Sequence, residues 1–134
     1  MSDRDERLGV TSDQDVVRVR QLVRTVAVSA KLSLVDQTKL VTAASELARN
    51  TLVYGGGGVV EVSRVDNGRR RGIRIVFTDQ GPGIADLELA LTDGYTTGGG
   101  LGLGLSGARR LVDEFEIKTE VGQGTSISVI KWCR

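Results

Sequence analysis

Three stretches of this 134-residue chain carry residue types at spacings that can do chemistry. The first is GGGLGLGLSG, Gly98 to Gly107, in which Gly102, Gly104 and Gly107 satisfy the spacing G-x-G-x-x-G. Backbone N–H groups of such a loop, placed ahead of a helix N-terminus, can turn inward on phosphate oxygens. The second is DQGPGI, 79–84, where Gly81 and Gly83 flank Pro82 in a tight turn behind an acidic residue. The third is the pair Glu46 and Asn50, four residues apart on a predicted helix and so on one face of it. Histidine is absent. The commonest general base and metal ligand is therefore missing, which excludes Ser-His-Asp chemistry and autophosphorylation on histidine. Taken alone, the glycines leave three readings open: a dinucleotide fingerprint, an ATP lid, or a plain surface loop.

The elements that must position these residues follow from the apolar pattern. Val16, Val19, Val23, Val26 and Ala30 recur at three- and four-residue steps, which predicts a helix over 14–31 with Asp13 as its cap. Ser33 with Asp36 three residues on resembles a capping arrangement for a second helix over 34–54. Its core stripe is Leu40, Ala44, Leu47 and Thr51, with Glu46 and Asn50 off the edge of that stripe. Four glycines, 55–58, stop it. Strands are predicted over 59–65 and 73–79, joined by an Asp-Asn-Gly hairpin, and over 115–119 and 125–131, joined across VGQG. A short helix over 85–91 and a third over 105–113 complete the list, with a short strand near 8–11. Helices on one face of a mixed sheet are the natural packing.

These elements decide among the glycine readings. A dinucleotide fold needs a strand directly before the glycines, and ALTDGYTTGG is not one. One helix and two strands remain after them, too little for a parallel βαβαβ unit. No Gly-Lys-Ser/Thr follows, so a Walker A loop fails as well. The lid and the surface loop survive.

Composition narrows the class further. Lys and Arg total 18 against 17 Asp and Glu, a net charge of +1, which argues against nucleic acid as the main partner. Hydrophobic residues make up 40%, enough for a packed core. Residues 1–12 read as a flexible arm or short edge strand and 13–134 as a single domain. Cys133 is the one cysteine, so no disulfide framework or thiolate metal cluster is expected. The start, MSDRDERLG, lacks an apolar signal region, and no apolar run reaches membrane-spanning length. A cytoplasmic protein is expected. Arg18, Arg20 and Arg24 read as a solvated face of the first helix.

Set side by side, SELARN (45–50), DQGPGI (79–84), GGGLGLGLSGARRL (98–111) and GQGT (122–125) resemble, in that order, the boxes of the histidine kinase, gyrase, Hsp90 and MutL (GHKL) ATP-binding domain. Within that superfamily the chain resembles the compact RsbT-type serine/threonine switch-protein kinases. The resemblance implies a two-layer α/β sandwich, its mixed and mainly antiparallel sheet covered by helices on one face (the Bergerat fold). It implies ATP and Mg²⁺ as cofactors and phosphoryl transfer to a serine of a STAS-domain antagonist protein. A PP2C-type phosphatase as a second partner and a stressosome-like assembly come with it, and no nucleic acid or membrane.

The resemblance also assigns roles. Asn50 would coordinate Mg²⁺ through its side-chain oxygen, and Glu46 would act as the catalytic carboxylate. Asp79 would accept from the adenine amino group, since a carboxylate only accepts. Gly81 and Gly83 would let the backbone pass close to the base, and Thr125 would support the adenine end. Gly98, Gly99, Gly100, Leu101, Gly102, Leu103 and Gly104 would close over the phosphates. Each has an ordinary alternative: a helix-surface asparagine or glutamate, an aspartate of a simple turn, a strand threonine. Two further functions stay open: an anti-sigma factor kinase of the RsbW or SpoIIAB type, and an ATP-dependent binding module without transfer.

Overall fold

The computed structural model describes residues 6–84 and 104–133. Its elements are β1 (Glu6–Val10), α1 (Asp13–Ser29), α2 (Leu34–Val53), β2 (Gly58–Asp66), β3 (Arg71–Asp79), α3 (Gly104–Arg110), β4 (Glu114–Glu120) and β5 (Gly124–Trp132). The strands form one sheet in the order β1-β2-β3-β5-β4, and every described pairing is antiparallel. The predicted helix over 85–91 and the glycines 98–103 lie outside the described residues.

Alternation along the strands explains the two layers. Val60 and Val62 on β2, Ile73, Ile75 and Phe77 on β3, and Ile127 and Val129 on β5 are buried, with more open residues between them. Side chains two apart share a sheet face, so these seven make one apolar surface. Against it lie Val16, Val19, Val23 and Ala27 of α1 and Leu40, Ala44, Leu47, Ala48 and Thr51 of α2, all buried. Full burial of a leucine such as Leu40 or Leu47 stabilises by about 2 kcal/mol relative to exposure, which outweighs the few tenths of helix propensity at each position. α2 is therefore held in register by its stripe. Glu46 and Asn50, on that stripe's edge, are half-buried.

Local chemistry sets the ends. Ser33 caps α2 as expected, its hydroxyl accepting from the Asp36 N–H at 3.1 Å. The cap of α1 is Ser12, one residue before the expected Asp13, and it accepts from the Asp15 N–H at 3.3 Å. Asp15 is the stronger anchor there. Its Oδ2 takes the Thr11 N–H at 2.9 Å, and its Oδ1 takes Arg18 at 2.8 Å. α1 stops at Ser29 rather than 31, because the Lys31 N–H bonds the Val28 carbonyl and Lys31 turns to a φ of 66°. α3 is shorter than the expected 105–113. The Asp113 N–H reaches the Ile130 carbonyl at 2.9 Å and pulls the chain into β4. In the β2–β3 hairpin Asn67 Oδ1 accepts from the N–H groups of Arg69 and Arg70, and Gly68 takes a φ of 90°. Trp132 lies over Gly72, whose missing side chain leaves the room, and its indole N–H donates to Glu114 at 2.7 Å. Cys133 is a free thiol with Sγ against the Ala30 carbonyl.

Candidate functional site

The C-terminal half of α2 delivers Glu46 and, one turn on, Asn50. Beyond Val53 the helix is closed by two bonds to one acceptor: the N–H groups of Tyr54 and Gly55 both reach the Asn50 carbonyl, at 2.9 and 3.2 Å. That closure sets Gly55 directly on the end of β3. A Cβ at Gly55 would fall on the Asp79 carboxyl group, and a Cβ at Gly81 would stand 2.7 Å from Gly55 Cα. Only bare backbone fits in both places. The glycine run after α2 therefore does more than stop a helix; it lets the helix end and the DQGPGI turn touch.

Strand register assembles the rest. Gly58 pairs with Asp79, Asp79 with Thr125, and Thr125 with Thr119, so one row crosses four strands at the end of the sheet. Asp79 Oδ1 accepts from the Gly81 N–H at 2.9 Å and from the Thr125 N–H at 3.2 Å. Its Oδ2 accepts no hydrogen bond among the described residues. The turn after Asp79 is tied to the β4–β5 hairpin twice more. The Gly122 N–H donates to the Pro82 carbonyl and the Ile84 N–H to the Thr119 hydroxyl, both at 2.8 Å. Gly83 has a φ of 78° and packs against the Glu120 carbonyl, which bars a side chain there on both counts. The Thr119 and Thr125 hydroxyls stand 2.9 Å apart.

The structure thus brings Asp79, Gly81, Gly83 and Thr125 into one constellation and sets Asn50 one helical turn away through Gly55. Glu46 faces the start of α3: its Oε2 accepts, at a long 3.4 Å, from the N–H of Gly104, which has a φ of 72°. Gly98, Gly99, Gly100, Leu101, Gly102 and Leu103 lie outside the described residues. Arg49, beside this pair in sequence, is exposed. Sequence reasoning passed over Gly55 and Thr119. The signal for Thr119 was available, since two strands joined at VGQG place residue 119 opposite Thr125. A cleft of about 440 Å³ opens at this end of the sheet, lined by Asp79, Thr119 and Thr125 and continuing over Thr78, Lys118 and Ser126 onto the face away from the helices.

A carboxylate oxygen that only accepts, next to a hydroxyl, meets a base edge bearing an exocyclic amine. The places where side chains of residues 55 and 81 would stand are filled by the Asp79 carboxyl group and the Gly55 backbone. Among the described residues no three His, Cys, Asp or Glu side chains converge as a metal site.

Helices layered on one face of an antiparallel sheet, with an acceptor carboxylate and a glycine-floored turn at a strand end, define a nucleotide-binding α/β sandwich. The profile of the histidine kinase-, DNA gyrase B- and HSP90-like ATPases matches residues 35–132. The serine/threonine-protein kinase RsbT of Bacillus subtilis is 44% identical over 93% of this chain and 94% of its own length. The anti-sigma F factor of Anoxybacillus flavithermus is 29% identical over 74% of this chain and 71% of its own. Among solved structures, the RsbU and RsbW domains of Rv1364c from Mycobacterium tuberculosis superpose with a TM-score of 0.69 at 20% identity, covering 98% of this chain and 33% of that one. The mycobacterial sensor histidine kinase MprB gives 0.58 at 19% identity, covering 98% and 99%. The chain belongs to the histidine kinase-, DNA gyrase B- and HSP90-like ATPase family.

Proposed function

We propose residue roles and partners for this chain, an ATP-dependent serine/threonine protein kinase of a partner-switching module. The acceptor in this reading is a serine of a STAS-domain antagonist protein, and a PP2C-type phosphatase is a second partner. The observation that carries the nucleotide placement is Asp79 Oδ2. It is an acceptor left over after Oδ1 is engaged by Gly81 and Thr125, and it lies against Gly55, where the missing side chain makes room for it. Asp79 takes the adenine amino group, and Thr125 supports the same edge. Asn50 offers its side-chain oxygen, a hard ligand of the kind Mg²⁺ prefers. The ion supplies charge neutralisation at the phosphates when bound. Glu46 accepts the proton of the incoming serine hydroxyl, a carboxylate serving as base in a chain that has no histidine. Gly98–Gly104 cover the phosphates and exclude water.

Calorimetric titration with ATP, with and without Mg²⁺, tests the placement. Wild type binds saturably and more tightly with Mg²⁺, and Asn50→Ala loses that Mg²⁺ increment. Binding that ignores both the ion and Asn50 overturns the assignment. The anti-sigma F relatives support a second reading, sigma-factor sequestration. A stoichiometric complex with a sigma factor, formed without transfer to a STAS protein, would favour it.

A further inference from the structure

The end of the molecule opposite Asp79 carries a surface that none of the roles above uses. At the turn from α1 to α2 three aliphatic side chains stand in solvent: Val28 is 55% exposed, Leu34 71% and Val35 62%. Their surroundings are of one sign. Every exposed charged side chain from residue 14 to residue 54 is basic, and the acids of that stretch, Asp15, Asp36 and Glu46, are buried or half-buried. Arg24 precedes Val28 by one helical turn, Lys39 follows Val35 by one, and Lys31 lies in the turn between the helices. The β2–β3 hairpin adds to the same end. Arg64 of β2 donates to the Ser29 hydroxyl at the close of α1. The Cys133 thiol reaches the Ala30 carbonyl while the Cys133 N–H reaches the Arg71 carbonyl, so hairpin and helix turn are fastened side by side. Beyond Arg64 the hairpin turns through exposed Arg69 and Arg70. Asp66 is the one acid of that turn, and its Oδ1 is engaged by the Gly68 N–H. Exposed Glu114 begins β4, three strands away from β2.

Three exposed aliphatics inside a basic rim fit a protein surface with an apolar centre and an acidic rim, because the centre gains by leaving water and the rims attract. A second copy of this chain fits poorly, since a two-fold contact would set one basic rim on another. Leu34 and Glu46 are 12 residues apart on α2, about 18 Å along the helix. A phosphoacceptor has to bring its serine to Glu46, whereas a partner that receives no phosphate has no such constraint. We propose that this basic, aliphatic pole is the docking surface for the partner that receives no phosphate, the PP2C-type phosphatase, through an acidic-rimmed apolar patch on that protein. A phosphatase seated there leaves Glu46 and the nucleotide site open. This rests on the reading that a phosphatase is a partner of the chain.

The test is calorimetric titration of the full chain with the purified cognate phosphatase and, separately, with the purified STAS antagonist, at low and at physiological salt. Steady-state transfer to the antagonist and light scattering accompany it. One double variant is Leu34→Gln with Val35→Gln, and the other is Arg69→Glu with Arg70→Glu. All four side chains are exposed and glutamine is a good helix former, so the core is untouched. Each double variant should bind the phosphatase about tenfold or more weakly, and transfer to the antagonist should keep its wild-type rate. Wild-type affinity for the phosphatase should fall as salt rises. The glutamine pair should keep that dependence and the glutamate pair should lose it. Phosphatase binding unchanged in either double variant overturns the joint surface and leaves the partner reading standing. Equal losses of antagonist binding would assign the pole to the acceptor, and a drop in mass by light scattering would assign it to a second copy. Either result overturns the proposal. A wild-type chain that binds no phosphatase fails the partner reading, and the docking surface falls with it.

Discussion

Asp79 uses its two carboxylate oxygens unequally, and the proposed adenine contact rests on that difference. Oδ1 is committed to two backbone N–H groups, which fixes the rotamer, while Oδ2 accepts no hydrogen bond among the described residues and lies against Gly55. Glu46 shows the opposite economy. Its one hydrogen bond among the described residues, from the Gly104 N–H, is a long 3.4 Å, which would leave the carboxylate open to the proposed role of base. Glu46→Gln keeps the shape and removes the base. It should bind Mg·ATP within about twofold of wild type and transfer phosphate roughly 100-fold more slowly. Single-turnover transfer beside calorimetric affinity checks this, and parallel losses in both would argue for a binding role.

At the scale of elements, two chain ends meet. The end of α2 and the end of β3 touch through Gly55 and Gly81, so the helix that bears Asn50 is built onto the turn that bears Asp79. Gly55→Ala would drive a methyl group into the Asp79 carboxyl. The helical and sheet content should survive, while ATP affinity falls about tenfold or more through displacement of the carboxylate. Far-UV dichroism paired with titration reads both. At the start of α1, the Thr11 backbone N–H is the largest influence holding Asp15 below its ordinary value of 3.8, aided by the Thr11 and Ser12 hydroxyls and Arg18 and opposed by desolvation. A depressed carboxyl adds stability at pH above the ordinary value and loses it as pH falls through the lowered one. Acid should therefore loosen the α1 N-terminus below about pH 4. Asp15→Asn should remove that dependence, as hydrogen exchange at Thr11 would report.

Across the whole molecule, the site is at one end and an ionic fastening is at the other. Eight residues of extended β3 separate Arg71 from Asp79, about 26 Å. At the Arg71 end, buried Lys131 of β5 holds Asp36 at 3.5 Å and Asp113 at 3.3 Å, tying the start of α2 and the turn after α3 to the sheet. Removing a buried cation from two carboxylates costs roughly 3 kcal/mol. Lys131→Met should lower Tm by roughly 10 °C and leave nucleotide affinity unchanged, because the fastening is far from Asp79. A comparable loss of affinity would mean that α2 transmits strain along its length. No helix of the described residues is long and apolar enough to cross a membrane.

The sequence by itself determined the two long helices, the hairpins and the family, because these depend on short-range patterns. Apolar residues at helical steps mark α1 and α2, alternation marks the strands, and Ser33 marks a cap. Four boxes in one order mark the ATPase class. The ends of elements were less legible. Ser12 rather than Asp13 caps α1, and α3 stops at Arg110, because a choice between adjacent polar residues or a last turn depends on partners such as Asp15 and Ile130 that propensity does not see. Only the tertiary structure decided that Gly55 must be bare, that Oδ1 of Asp79 is engaged by two backbone N–H groups, and that the Thr119 and Thr125 hydroxyls stand 2.9 Å apart. Those facts depend on which backbone approaches which side chain across the end of the sheet. Strand register makes Asp79, Thr119 and Thr125 neighbours, and the closure of α2 brings Gly55 to them.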